Sequence, residues 1–163
     1  MKYLRSMLIF AISFNPMNWA QAAKLNITFS NPKSYTDIRP AFDGMQYSTE
    51  DITSNIEKYL TTLAEKLPQN YLLKMNVTDI DLAGDTRGQN IRLVMQHFSP
   101  RLAFSFQLLD ENSQVLLENT ENIRDSAFMS NQSLKHKNDF LGYEKKLLDD
   151  WLKETFSTLL NKP

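Results

Sequence analysis

From Lys24 to Ser30 apolar and polar residues alternate, with Leu25, Ile27 and Phe29 on one parity. A period of two predicts a half-buried strand. Between Asn31 and Gly44 the pattern dissolves, and Pro32, Pro40 and Gly44 mark an irregular segment. Ile52, Ile56, Tyr59, Leu60, Leu63 and Leu67 then recur at three and four. They predict one apolar stripe on a helix over 49–67, stopped by Pro68. Ser48 or Thr49 suits its N-cap, and Asp51, three residues after Ser48, makes a weak capping box.

Tyr71 to Leu82 predicts a long strand with a flaw in it. Tyr71, Leu73, Met75 and Val77 share one face, but Ile80 and Leu82 have the opposite parity, and Asp79 and Asp81 continue the formerly apolar face. Either a bulge re-aims the chain after Val77, or that face stops being core. Ala83-Gly84-Asp85 opens a polar loop to Gln89. Strands are expected at Ile91–Phe98 and Leu102–Leu109, the second with Leu102, Phe104, Phe106 and Leu108 on one face. Asp110 to Ser113 reads as a hairpin connection in which Asn112 takes positive φ. Gln114–Asn119 pairs back, Glu121–Ala127 adds an edge strand, and Ser130–Asn138 is a polar loop.

The last periodic segment is Asp139–Leu160. Phe140, Leu147, Leu148, Trp151, Leu152, Phe156, Leu159 and Leu160 predict a second helix, capped by Asn138 or Asp139. Trp151 falls in its apolar stripe and reads as a core anchor. The first helix can serve as a right-handed crossover between two parallel strands, and the remaining strands favour hairpins. The expected fold is α+β: a single domain with a mixed, mostly antiparallel sheet of about five strands and two helices on one face.

Composition narrows the function. Of 163 residues, 42% are apolar and 23% charged, which fits an ordinary globular domain rather than a disordered chain. A formal net charge of −1 argues against nucleic acid as a partner, since that surface would be strongly basic. Cysteine is absent, which excludes disulfides, thiolate metal sites and cysteine nucleophiles. The N-terminus reads as a secretory signal peptide. Lys2 and Arg5 precede an apolar run from Met7 to Phe14, Asn15-Pro16 breaks it, and Ala20-Gln21-Ala22 provides small residues for cleavage after Ala22. The run is too short to span a membrane, which takes about 20 apolar residues. The mature chain, residues 23–163, has no second apolar run of spanning length, and export to the periplasm is expected.

Tyr35-Thr36-Asp37-Ile38, the run Val77 to Asp85 (VTDIDLAGD), Pro100-Arg101, Arg124-Asp125 and Leu148-Asp149-Asp150-Trp151 occur in that order. Together they resemble the DUF3016 family of exported proteins, known mainly from Gram-negative proteobacteria. The resemblance covers nearly the whole mature chain, and the T-D-I-D-L-A-G run is its most specific part. It implies a periplasmic single domain and carries no reaction or catalytic residues with it.

The densest polar cluster is Asp79, Asp81 and Asp85, with Arg92 and Arg101 nearby in sequence. Two carboxylates on one strand face repel unless a cation lies between them. They suit a divalent cation or an acid/base pair. Equally, they suit a strand end whose aspartates accept hydrogen bonds from loop amides and from Arg92 or Arg101. An EF-hand is not matched, because Asn90 stands where the bidentate Glu is needed. Tyr35, Asp37 and Arg39 lie in the first long loop, as a binding site or as a packed-down tyrosine and a turn-capping aspartate.

The two histidines, His97 and His136, are far apart in sequence and have no zinc-ligand context; His136 reads as a solvated loop residue between Lys135 and Lys137. No G-x-S-x-G, G-x-G-x-x-G or phosphate loop occurs, so no metal and no cofactor is expected. The function expected from sequence is a small periplasmic binding or protein-interaction module, with envelope proteins or a small ligand as partner. The alternative is a small metal-dependent or acid/base hydrolase using Asp79 and Asp81.

Overall fold

The computed structural model describes residues 22–38, 48–85, 92–130, 136 and 138–160. Residues 1–21, which hold nearly all of the expected signal peptide, and Arg39, Gly44, Gln89 and Asn90 lie outside the described residues. Among the described residues four strands form one sheet in the order β1 (Lys24–Phe29), β2 (Leu72–Asp81), β3 (Arg101–Leu109) and β4 (Val115–Arg124). β1 and β2 are parallel and joined through helix α1 (Thr49–Ala64); β2–β3 and β3–β4 are antiparallel. Helix α2 (Gly142–Thr155) and a short α3 (Ser157–Leu160) close the chain. The architecture is the expected α+β domain with a mixed sheet, one strand short of the expected number.

The missing strand is the one expected over Ile91–Phe98, of which residues 92–98 are described. Only an isolated bridge, Asp85 to Leu93, forms there, and Leu93 and Val94 stay exposed. Its backbone bonds close a loop instead: Gly84 N–H donates to the Phe98 carbonyl, and Asp85 and Leu93 exchange two bonds. Gly84 has φ +86°, and a Cβ there would lie 2.6 Å from the Leu93 carbonyl oxygen. At the other end, Gln114–Asn119 and Glu121–Ala127 merge into the single strand β4. The turn before β4 puts Ser113 rather than Asn112 at positive φ. Asp110 fixes it by accepting from the amides of Asn112 and Gln114.

Ser48 caps α1 as expected. Its hydroxyl accepts from the Asp51 amide, and the Asp51 carboxylate accepts from the Ser48 amide, a complete capping box. The helix stops at Ala64, yet Leu67 remains buried just before Pro68. The last helix differs more. Its N-cap is Leu141 in the left-handed region (φ 58°), not Asn138 or Asp139, and the helix breaks at Phe156. The cause lies next to Gly142, where a Cβ would come within 2.3 Å of the His136 carbonyl oxygen. The chain before α2 is folded back on itself, and the helix begins where that contact ends.

All the buried faces meet in one core. Leu73, Met75 and Val77 of β2, Leu102, Phe104, Phe106 and Leu108 of β3, and Ile52, Ile56, Leu60 and Leu63 of α1 join Leu148, Trp151 and Leu152 of α2. Trp151 is the anchor. It meets Phe104 at 4.9 Å, Phe106 at 5.3 Å and Phe156 at 5.6 Å between ring centroids, each edge to face. The opposite face of the sheet carries no described helix and presents Asn26, Thr28, Lys74, Asn76, Ser105 and Gln107.

Two substitutions test this packing. Trp151→Ala is expected to lower unfolding free energy by about 3–5 kcal/mol, as large-to-small aromatic changes in cores do. Gly142→Ala is expected to cost about 1–3 kcal/mol through overpacking against His136. Urea midpoints at unchanged m-value measure both.

Candidate functional site

The site is built by a slip in β2. The register of β2 on β3 shifts between Val77 and Asp79, leaving Thr78 as an extra residue that donates its hydroxyl to the Ala103 carbonyl. Beyond this bulge Ile80 and Leu82 point into the core, and Asp79 and Asp81 project on the open face. The segment after β1 then runs alongside. The Asp37 amide donates to the Ile80 carbonyl at 3.1 Å and the Leu82 amide to the Asp37 carbonyl at 3.3 Å. Tyr35 is buried, and its hydroxyl donates to the Val77 carbonyl at 2.8 Å. It is a packed-down tyrosine whose burial pushes the phenol up to about 12.

Asp79 is fully engaged. It accepts from the Thr36 amide (2.6 Å), the Thr36 hydroxyl (2.7 Å) and the Arg101 guanidinium of β3. Burial opposes its ionisation, but these donors hold its carboxyl below the usual carboxylate range. Asp81 differs. Arg101 Nε lies 3.8 Å from its carboxylate. Burial raises its pKa, with the Asp37 and Asp79 charges adding to the effect and Arg101 and Arg124 opposing it. One guanidinium therefore bridges two aspartates that ionise unequally.

A second cluster adjoins the first. Arg92 donates to Asp37 at 2.8 Å and to the Gly84 carbonyl at 2.9 Å, with the Ala83 carbonyl at 3.4 Å. From α2, Glu144 reaches the same segment and accepts from the Ala83 amide at 2.7 Å. Glu144 is buried, which raises its pKa; the amides of Ala83 and Glu144 and the Arg92 charge oppose that. Residues 82–84 are thus held from one side by a cation and from the other by a carboxyl. Asp85 joins this region through its backbone bridge to Leu93. Among the described residues no group of three His, Cys, Asp or Glu has the geometry to hold a metal ion.

Of the expected site residues, Tyr35, Asp37, Asp79, Asp81, Arg92 and Arg101 do meet at one end of the sheet. Sequence reasoning missed Thr36, which supplies two of the donors to Asp79, and Glu144. Glu144 had a signal: it stands four residues from Phe140 and from Leu148, on the apolar stripe itself. His136 was misread. It is buried, with Nε2 2.9 Å from Asp149 Oδ2 and 3.0 Å from the Tyr59 hydroxyl, and Nδ1 3.1 Å from Asp139 Oδ2. Lys66 Nζ lies 3.4 Å from the other Asp149 oxygen. This polar knot ties α1 to α2 and to the segment between β4 and α2. His97 sits exposed in a turn, as expected of a histidine without partners in sequence.

A concave surface lies elsewhere on the open face. A groove of about 330 Å³ crosses all four strands, lined by Asn26 and Thr28, Lys74 and Asn76, Ser105 and Gln107, and Glu118 and Thr120. Gln107 holds Glu118 at 2.7 Å, and the hydroxyls of Thr28 and Ser30 contact Asn76 Oδ1. Lys74 forms no ion pair with a described residue, which leaves its ammonium to the groove.

The family model described as "Protein of unknown function (DUF3016)" matches residues 23–154, and the chain belongs to that family. No curated protein and no solved structure matches the chain. No described helix is long and apolar enough to cross a membrane.

The unequal aspartates give opposite expectations. The folded pKa of Asp79 is depressed, so its contribution is present above the unfolded value near 3.9 and is lost as pH falls through the folded value. Asp79→Asn is expected to lower stability at pH 7 by about 1–2 kcal/mol, the scale of a partly screened charged hydrogen bond, and to flatten the acid limb. The folded pKa of Asp81 is raised, so its contribution is present below the unfolded value and lost as pH rises through the folded one. Asp81→Asn is expected to hold or raise Tm at pH 7. Thermal melts from pH 3 to 8 separate the two.

Proposed function

We propose that this DUF3016 protein is an exported binding module whose docking surface is the uncovered face of its sheet. The observation that carries the reading is the groove across all four strands. Its lining is amide, hydroxyl, one carboxylate held by Gln107 and one ammonium unpaired among the described residues, on a rigid sheet rather than on loops. Such a surface suits an oxygen-rich ligand held by several hydrogen bonds, with Lys74 as the charged contact. Export is supported by the n-region, apolar run and Ala-Gln-Ala site of the N-terminus, and by a family match that begins at residue 23.

The test is native mass spectrometry of the mature chain recovered gently from the periplasm. A retained mass is expected on the wild type and absent from Lys74→Ala and from Ser105→Tyr, which fills the groove from the centre of β3. Both variants should melt within a few degrees of the wild type. A wild-type mass equal to the bare polypeptide, or a ligand kept by both variants, would overturn the groove reading. The same spectrum dates the N-terminus: a chain beginning at Ala23 is expected.

One observation favours a second reading, an acid/base enzyme. Environments that push two neighbouring carboxyls apart are how proteins assign acid and base roles, and Asp79 and Asp81 are pushed in opposite directions. In that case Asp81→Asn, and not the groove variants, would abolish ligand retention or metal uptake while leaving Tm intact.

A further inference from the structure

The edge of the sheet formed by β4 is long, and no described strand pairs with its outer side. Its ten residues, VLLENTENIR, contain neither proline nor lysine, two of the usual protections of an edge strand, and the one register shift, at Leu116, falls at its start and leaves Leu117–Arg124 regular. Val115, Leu116 and Leu117 are 50%, 48% and 37% exposed. The backbone parity is fixed by the other side of the strand. The Asp125 amide bonds the Pro100 carbonyl, and the register with β3 continues from that pair. Hydrogen-bonded pairs alternate in an antiparallel ladder. Leu117, Asn119, Glu121 and Ile123 therefore spend their backbone groups on β3, and Glu118, Thr120 and Asn122 turn theirs outward. The Thr120 amide is indeed off the ladder and donates to its own neighbour, Asn119 Oδ1.

We propose that this edge pairs with the same edge of a second copy of the chain, antiparallel about a two-fold axis at Thr120. Two copies related by a two-fold axis present the same strand to each other, and only registers that match outward residue to outward residue can form the ladder. Centring on Glu118 or on Glu121 sets like charges face to face. Centring on Asn119 sets Leu117 against Glu121. Centring on Thr120 opposes Glu118 to Asn122 and Asn119 to Glu121, with Thr120 against itself. It also sets Leu117 of each copy against Ile123 of the other, two apolar pairs on one face. In the pair the amide of Thr120 exchanges its side-chain acceptor for a backbone one, and the two four-stranded sheets become one of eight. The inference stands apart from the groove and holds whether or not the groove takes a ligand.

The chain has no cysteine, which makes register directly readable. Directly opposed, hydrogen-bonded residues in an antiparallel pair have Cα atoms about 5.5 Å apart, within disulfide reach. Thr120→Cys in the mature chain is expected to form a disulfide-linked dimer under mild oxidation. Asn122→Cys, opposed to Glu118 of the other copy and not to itself, should crosslink at least tenfold more slowly. Sedimentation equilibrium on the cysteine-free chain should show a dimer that Leu117→Lys reduces to monomer with circular dichroism unchanged. A wild-type monomer up to millimolar concentration overturns the proposal. So does equal crosslinking at positions 120 and 122, or a dimer untouched by Leu117→Lys.

Discussion

A strand shows alternate side chains to opposite faces, and only one face of this sheet is covered. The residues that a strand sends into the core must therefore keep one parity along its regular stretch. β2 breaks that rule in sequence and keeps it in space, because the bulge at Thr78 absorbs one residue between Val77 and Asp79. Without the slip, Asp79 and Asp81 would enter the core and Ile80 would leave it. Two unpaired carboxylates in an apolar interior are not tolerated. With it, both reach the open face opposite Arg101, and the 35–38 segment finds a strand end to lie against. The ion pairs of the site follow from this one residue of slack.

Elsewhere the protein buries ionisable groups, and it does so with partners. Glu144 is buried yet accepts the Ala83 amide; Asp149 and His136 are buried yet bond each other and Tyr59. Each of these contacts joins elements far apart in the chain: α2 to the end of β2, and α1 to α2 and the preceding segment. Breaking one partner would strand the other without water. Such pairs fix the seating of the helices on the sheet more sharply than the aliphatic contacts around them, which tolerate sliding.

The arrangement divides the surface by chemistry. At one end of the sheet the carboxylates and guanidiniums are largely spent on each other and on backbone groups, and they hold the loops in place. In the middle, amides, hydroxyls, one carboxylate and one ammonium line a groove. Along β4 the outward groups are backbone amides and carbonyls beside apolar side chains. Neutralised charge holds the loops; the uncommitted donors, acceptors and apolar edge are what the proposed contacts would use. That division is why the binding reading rests on the sheet face and not on the aspartates that dominate the sequence.

Much of the fold was legible along the chain, for local reasons. Periodicity placed α1, β1, β2, β3 and the body of α2; Ser48 and Asp51 marked a cap; the change of parity after Val77 announced the bulge without deciding it. Ile91–Phe98 has the composition of a strand, but its place in the sheet was never offered, because Arg92 turned to Asp37 and the 82–84 carbonyls instead. His136 looked solvated between two lysines, since nothing local shows that Tyr59 and Asp149, 77 and 13 residues away, would enclose it. The sequence by itself determined the alternation of each strand, the stripe of each helix and the family. Only the tertiary structure decided which carboxylate meets which cation, which face of the sheet stays open and which edge stays free, because each of these is a relation between segments that no window of the chain contains.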